Sequence, residues 1–133
     1  MAPDSELDYI KAFLEKIHTT HTVATIETTR NINIIEDAQS ILVYTGEILD
    51  VNYNIIEKQY KISYKDATEG ALNSTLYALI NGINKLNKRE TITDYTKPNS
   101  LLGMKLLSTT KDWYNIGSSW YANATIVAWW ITE

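Results

Sequence analysis

The sequence predicts an α+β fold, two helices packed on one mostly antiparallel β-sheet. Three observations lead there. Two segments, one near the N-terminus and one past the middle, repeat apolar residues at helical spacing. Most of the remainder alternates, or runs apolar in short stretches, and is rich in Ile, Thr and Tyr, which favour strands. The 133 residues, 44% hydrophobic and 21% charged, suit one soluble domain, 1–133, large enough for a core of its own.

Residues 4–18 are expected to form the first helix. Leu7, Ile10, Leu14 and Ile17 recur at steps of three and four, with Phe13 beside them. Ser5 and Asp8 have capping-box spacing. Lys11 and Glu15, four apart on the polar face, add only a few tenths of a kcal/mol. Residues 22–35 are β-branched and fit two short strands, or one strand and an irregular stretch. Glu36, Asp37, Gln39 and Ser40 read as a loop. Ile41 to Tyr44 is a compact apolar strand, and Gly46 marks a bulge or bend behind it. Asn52 and Asn54 indicate a turn.

Residues 57–65 alternate most clearly. Tyr60, Ile62 and Tyr64 point one way, and Lys61, Ser63 and Lys65 the other. Asp66 and Glu69 have capping-box spacing ahead of a second helix, whose stripe is Leu72, Leu76, Leu79, Ile80, Ile83 and Leu86. Gly82 inside it implies close approach to another element, because Gly there costs up to about 1 kcal/mol relative to Ala. Residues 90–100 are polar. In 101–108, Leu102, Met104 and Leu106 are expected to share a face. Residues 113–119 read as a loop or hairpin tip. Residues 120–131 form a last strand with apolar residues on both sides. The expected core is Leu7, Ile10, Leu14, Ile17, Leu42, Tyr44, Ile62, Leu72, Leu76, Leu79, Ile83, Leu106 and Val127.

Composition narrows the function classes. Without cysteine, disulfides, thiolate zinc sites and a cysteine nucleophile are excluded. The formal charge is −4, with 12 Lys plus Arg against 16 Asp plus Glu, and the only arginines are Arg30 and Arg89. Sequence-specific nucleic-acid binding is not expected of such a chain. No apolar run is long enough to span a bilayer, and Met1-Ala2-Pro3-Asp4 does not start a signal peptide, so no membrane partner is expected.

The search for chemistry finds little. The five glycines form no phosphate-binding pattern, and there is no nucleophile elbow. His18 and His21 have the spacing of a helical metal pair, but no motif supplies a third ligand, and polar or cationic residues near a helix C-terminus are favoured by the macrodipole. Glu36 and Asp37 read as a solvated turn. Asn73-Ser74-Thr75 and Asn123-Ala124-Thr125 match the glycosylation pattern but fall in a helix and a strand. The expectation is a non-enzyme with no catalytic, cofactor-binding or metal-binding residue and no cofactor.

The aromatic distribution is more informative. All four tryptophans, Trp113, Trp120, Trp129 and Trp130, follow residue 112. Adjacent Trp129 and Trp130 face opposite sides of a strand. One can fill the core, while the other needs a second layer or another subunit. Trp113 and Tyr114, expected near a loop tip, are further candidates for subunit contact. The expected subunit interface is therefore Trp113, Tyr114, Trp120, Trp129 and Trp130.

The layout resembles the tail-terminator and tail-completion (head-to-tail joining) proteins of long-tailed phages. The similarity lies in the N-terminal helix leading to Ala24-Thr25-Ile26, Arg30 and the run from Asp37 to Gly46. It continues in the alternating strand Gln59–Lys65 entering the Asp66–Lys88 helix, and in the closing strand from Ser118 to Val127. The tryptophan-rich end and sparse arginine depart from many relatives. The resemblance implies a structural subunit of a virus or provirus tail that self-associates into a ring, generally sixfold, by head-to-tail contacts. It further implies contacts with other tail or connector proteins, and a location in the virion tail after assembly in the host cytoplasm. The alternative is a small α+β ligand-binding or regulatory module acting as a dimer.

Overall fold

The computed structural model describes residues 5–25, 39–52, 54–116 and 119–131. The elements run α1 (Ser5–Ile17), β1 (Thr22–Thr25), β2 (Ser40–Asn52), β3 (Ile55–Asp66), α2 (Glu69–Asn87), β4 (Leu101–Ile116) and β5 (Ser119–Ile131). Among the described residues, five strands form one sheet in the order β1-β2-β3-β5-β4. β1 is parallel to β2, and every other pairing is antiparallel. The fold is α+β, with two helices on a mostly antiparallel sheet. Residues 26–35 of the 22–35 reading and residues 36–38 of the loop reading lie outside the described residues.

Both helices lie on the same face. α1 packs over β1 and β2, and α2 over β3, β5 and β4. Period-two geometry sends Ile41 and Val43 of β2, Tyr60, Ile62 and Tyr64 of β3, and Ala122, Ala124, Ile126, Ala128 and Trp130 of β5 into the layer between sheet and helices. Leu7, Ile10, Phe13 and Leu14 of α1 and Leu72, Leu79, Ile83 and Leu86 of α2 fill it from above. The alanines of β5 leave room for these helical side chains. Gly82 is a point of close approach between the helices, since a Cβ there would lie 2.8 Å from Cγ2 of Ile17.

Several expectations are corrected. Ser5 lies inside α1. α2 is capped by Thr68, whose hydroxyl accepts the Ala71 N–H at 3.1 Å, and Asp66 remains in β3. Ile80 is exposed, and Leu76 and Ile17 are only partly buried against the core. Leu42 and Val127 are buried but point away from the helices, as does half-buried Tyr44. Lys65, on the side of β3 opposite Tyr64, is buried. The register of β4 slips between Leu101 and Gly103, so Leu101 enters the core and Leu102 is turned out. Met104 remains buried, and Leu106 only partly so. Of the loop or hairpin tip expected at 113–119, the hairpin reading holds, with Ile116 paired antiparallel to Ser119, but residues 113–116 are already strand, since β4 runs to Ile116 and β5 starts at Ser119.

Candidate functional site

The face of the sheet opposite the helices is built from the alternate residues of the same strands. The register places Leu42, Ser63, Asn123 and Thr110 in one row, Tyr44, Lys61, Thr125 and Ser108 in the next, and Gln59, Val127 and Lys105 beyond. Ser63 donates its hydroxyl hydrogen to Oδ1 of Asn123 across the strands at 2.9 Å. Among the described residues, no helix or second sheet lies on this face. It is more polar than the sequence reading of an apolar strand on both sides implied: of Tyr121, Asn123, Thr125, Val127 and Trp129 on β5, only Val127 and Trp129 are strongly apolar.

The apolar part gathers at one end. Val127, Trp129 and Ile131 follow one another on this face of β5, and Ile55 of β3 pairs with Ile131. Trp129 is half-buried, while Ile55 and Ile131 are exposed. Trp130 is the core member of the tryptophan pair, fully buried with Tyr9 stacked at 6.2 Å and Tyr60 edge-on at 6.4 Å. Its placement in the interface is corrected, because its side chain is enclosed by its own chain. Trp120 is partly buried against the same core. Trp113 and Tyr114 belong to β4, but their side chains lie outside the described residues.

The margins of the sheet differ from its centre. β4 is an edge strand of 16 residues. Its register shifts leave Leu102 and Leu107 as extra residues, each 46% exposed. The backbone beside Leu102 is already engaged. Asn87 donates Nδ2–H to the Met104 carbonyl at 2.7 Å and accepts the Met104 N–H at 2.9 Å, and Lys97 Nζ donates to the Leu101 carbonyl at 2.6 Å. These side chains occupy groups that a foreign strand would need. At the far margin, among the described residues, β2 beyond Thr25's partner Val43 has only β3 beside it, and its shifts flank exposed Ile48 and Leu49.

A buried polar cluster at the end of α1 was not anticipated from the sequence. His21 Nε2–H donates to Asp66 Oδ1 at 2.9 Å, with Gln39 Nε2 at 3.4 Å from the same oxygen. Thr75 Oγ1 is 3.3 Å from that nitrogen and donates to the Ala71 carbonyl at 2.9 Å. His18 Nε2 shares a hydrogen bond with the Tyr64 hydroxyl at 3.1 Å. Burial, and then the neighbouring His21, pull the His18 pKa from 6.5 down to about 3, although Asp66 opposes the shift. Burial, and then Asp66, push the Tyr64 hydroxyl well above its ordinary range.

This geometry joins elements and differs from that of a proton relay. A relay needs carboxylate and nucleophile on opposite ring nitrogens. Here Asp66 and Thr75 both face Nε2, and among the described residues Nδ1 has only the Thr20 hydroxyl at 3.4 Å. The cluster ties the end of α1 to the start of β2, the end of β3 and the first turns of α2. Among the described residues, no group of three or more His, Asp or Glu is arranged to hold a metal ion. Asp66 lies 45 residues from His21, so no local motif could have signalled the pair.

Among the described residues, no helix is long and apolar enough to cross a membrane. In comparisons with known proteins, no family model matches the chain, and no curated protein matches it either.

Proposed function

We propose that this protein is a non-enzymatic assembly subunit that self-associates into a ring and serves the tail, or the head–tail joint, of a virus or provirus. One observation carries the assembly reading: Trp129 is half-exposed beside exposed Ile55 and Ile131 on a sheet face with no covering element among the described residues. Aromatic residues in such surroundings are what interface cores use. The margins add support. Leu102 and Leu107 at one edge and Ile48 and Leu49 at the other are unlike apolar sets on opposite sides of the sheet, as head-to-tail association requires. The tail assignment rests on the resemblance of layout. It carries with it tail or connector proteins as partners and a place in the virion tail after assembly in the host cytoplasm.

The test is sedimentation across a concentration series, alone and with the tail-tube protein encoded by the same genome. Defined multimers of the wild type that are lost in Trp129→Ser, while its thermal unfolding changes little, support the proposal. A monomer at every concentration in both settings overturns it.

A further inference from the structure

A cleft of about 500 Å³ opens where the last turn of α2, residues 88–100 and the start of β4 meet. This is within the range of small-molecule sites. Leu86, Ile92 and Leu102 supply apolar walls, and Arg89, Lys97 and Tyr95 supply charge and hydrogen-bonding capacity.

Three independent features converge there. α2 ends in a Schellman motif, in which the Arg89 N–H donates to the Leu86 carbonyl at 3.2 Å and the Glu90 N–H to the Lys85 carbonyl at 2.9 Å. Arg89 has φ 59°, a left-handed conformation in which glycine is the usual residue and a side chain is unfavourable. Arg89 lines the cleft and holds this conformation at the expense of backbone comfort, a pattern that marks functional positions. Next, the buried Tyr95 hydroxyl has no hydrogen-bond partner among the described residues. Burial pushes its pKa up to about 12, so at neutral pH it is an O–H with a donor to offer. Last, Lys97 Nζ donates to the Pro98 and Leu101 carbonyls at 3.3 and 2.6 Å, leaving one of its three N–H groups for a ligand.

We propose that this cleft binds a small organic phosphate ester, with Arg89 and Lys97 pairing with the phosphate oxygens, Tyr95 donating to the ligand, and an apolar moiety lying against Leu86, Ile92 and Leu102. Two cations face one exposed anion, Glu90, so a dianion is matched better than a monocarboxylate. The proposal does not rest on the assembly reading: Leu102 borders both surfaces, but Arg89, Lys97 and Tyr95 belong to the cleft alone, and binding is read at a protein concentration where the chain is monomeric.

The test is thermal unfolding and calorimetric titration of the full chain with phenyl phosphate, benzoate and phenol at millimolar concentration. Phenyl phosphate is expected to raise the wild-type midpoint most, benzoate less, and phenol not at all. Arg89→Gly is expected to unfold at a higher temperature than wild type in buffer alone, because the left-handed strain is relieved, and to lose the phenyl phosphate shift. Arg89→Asn, which also tolerates this conformation, serves as the second variant. Tyr95→Phe is expected to weaken binding about tenfold. Equal responses of wild type and Arg89→Gly to phenyl phosphate, or no wild-type response to it, overturn the proposal.

Discussion

From Tyr60 to Tyr64, strand β3 sends three side chains towards the helices and two away. Tyr60, Ile62 and Tyr64 are enclosed, whereas Lys61 is exposed and Ser63 half-buried. β5 repeats the contrast with Ala124, Ile126 and Ala128 against Asn123, Thr125 and Trp129. One backbone thus carries two kinds of surface. On the helix side every side chain must fit its neighbours in volume, because interiors are close-packed. On the other side, exposed Lys61 and Asn123 need only suit a pleated surface facing water, while Leu42, Lys65 and Val127 are buried among their neighbours and Trp129 is half-buried. The adjacent tryptophans make the contrast sharpest, since they share a composition and differ only in which way the pleat turns them.

That comparison can be broken first at the pair itself. Trp130→Ser is expected to lose about 3–5 kcal/mol of stability, because it empties a site enclosed by Tyr9 and Tyr60. Denaturant unfolding measures it. A loss under about 1 kcal/mol, within the range of ordinary surface changes, would contradict the core placement.

The next largest effect comes from acid. His18 titrates near 3 in the folded protein and near 6.5 when unfolded. As pH falls below the unfolded value, only the unfolded chain takes up this proton. The stabilisation is therefore complete above about pH 6.5 and declines below it by about 1.4 kcal/mol per pH unit until the folded group titrates. His18→Gln removes this component, so its unfolding free energy is expected to vary less steeply between pH 6.5 and pH 5 than that of the wild type. Parallel curves would show that His18 is not held neutral by its surroundings.

Smaller effects belong to the open face. Trp129→Ser is expected to change monomer stability by about 1 kcal/mol or less while abolishing association, as read by sedimentation. Equal loss of both would join Trp129 to the core and remove the contrast. Asn123→Ala deletes the acceptor of the Ser63 hydroxyl on the water-facing side, and the expected change is within about 0.5 kcal/mol by thermal unfolding. A cost of several kcal/mol would mean that the face is roofed in solution.

Some of this architecture was legible beforehand because it is periodic and local. The stripe from Leu72 to Leu86 and the alternation of Tyr60, Ile62 and Tyr64 identify elements by spacing alone, and Gly46 and Gly82 announced a bulge and a close approach. Capping was read less well. Asp66 has the spacing of a cap, but its carboxylate is held by His21, and Thr68 takes the position instead. The β4 face was misread for a related reason. One extra residue at Leu102 inverts the alternation before Gly103, and a bulge depends on the partner strand as much as on its own residues.

The sequence by itself determined the two amphipathic helices, most of the strand segments and the fact that neighbouring tryptophans must diverge, because helical and pleated periods are properties of the backbone. It also determined that any histidine chemistry would need a distant partner. Tertiary structure alone decided that Trp130 rather than Trp129 goes inside, that His21 meets Asp66, and that Arg89, Lys97 and Tyr95 share one cleft. Those outcomes depend on register and on contacts between residues far apart in the chain, which no local pattern encodes.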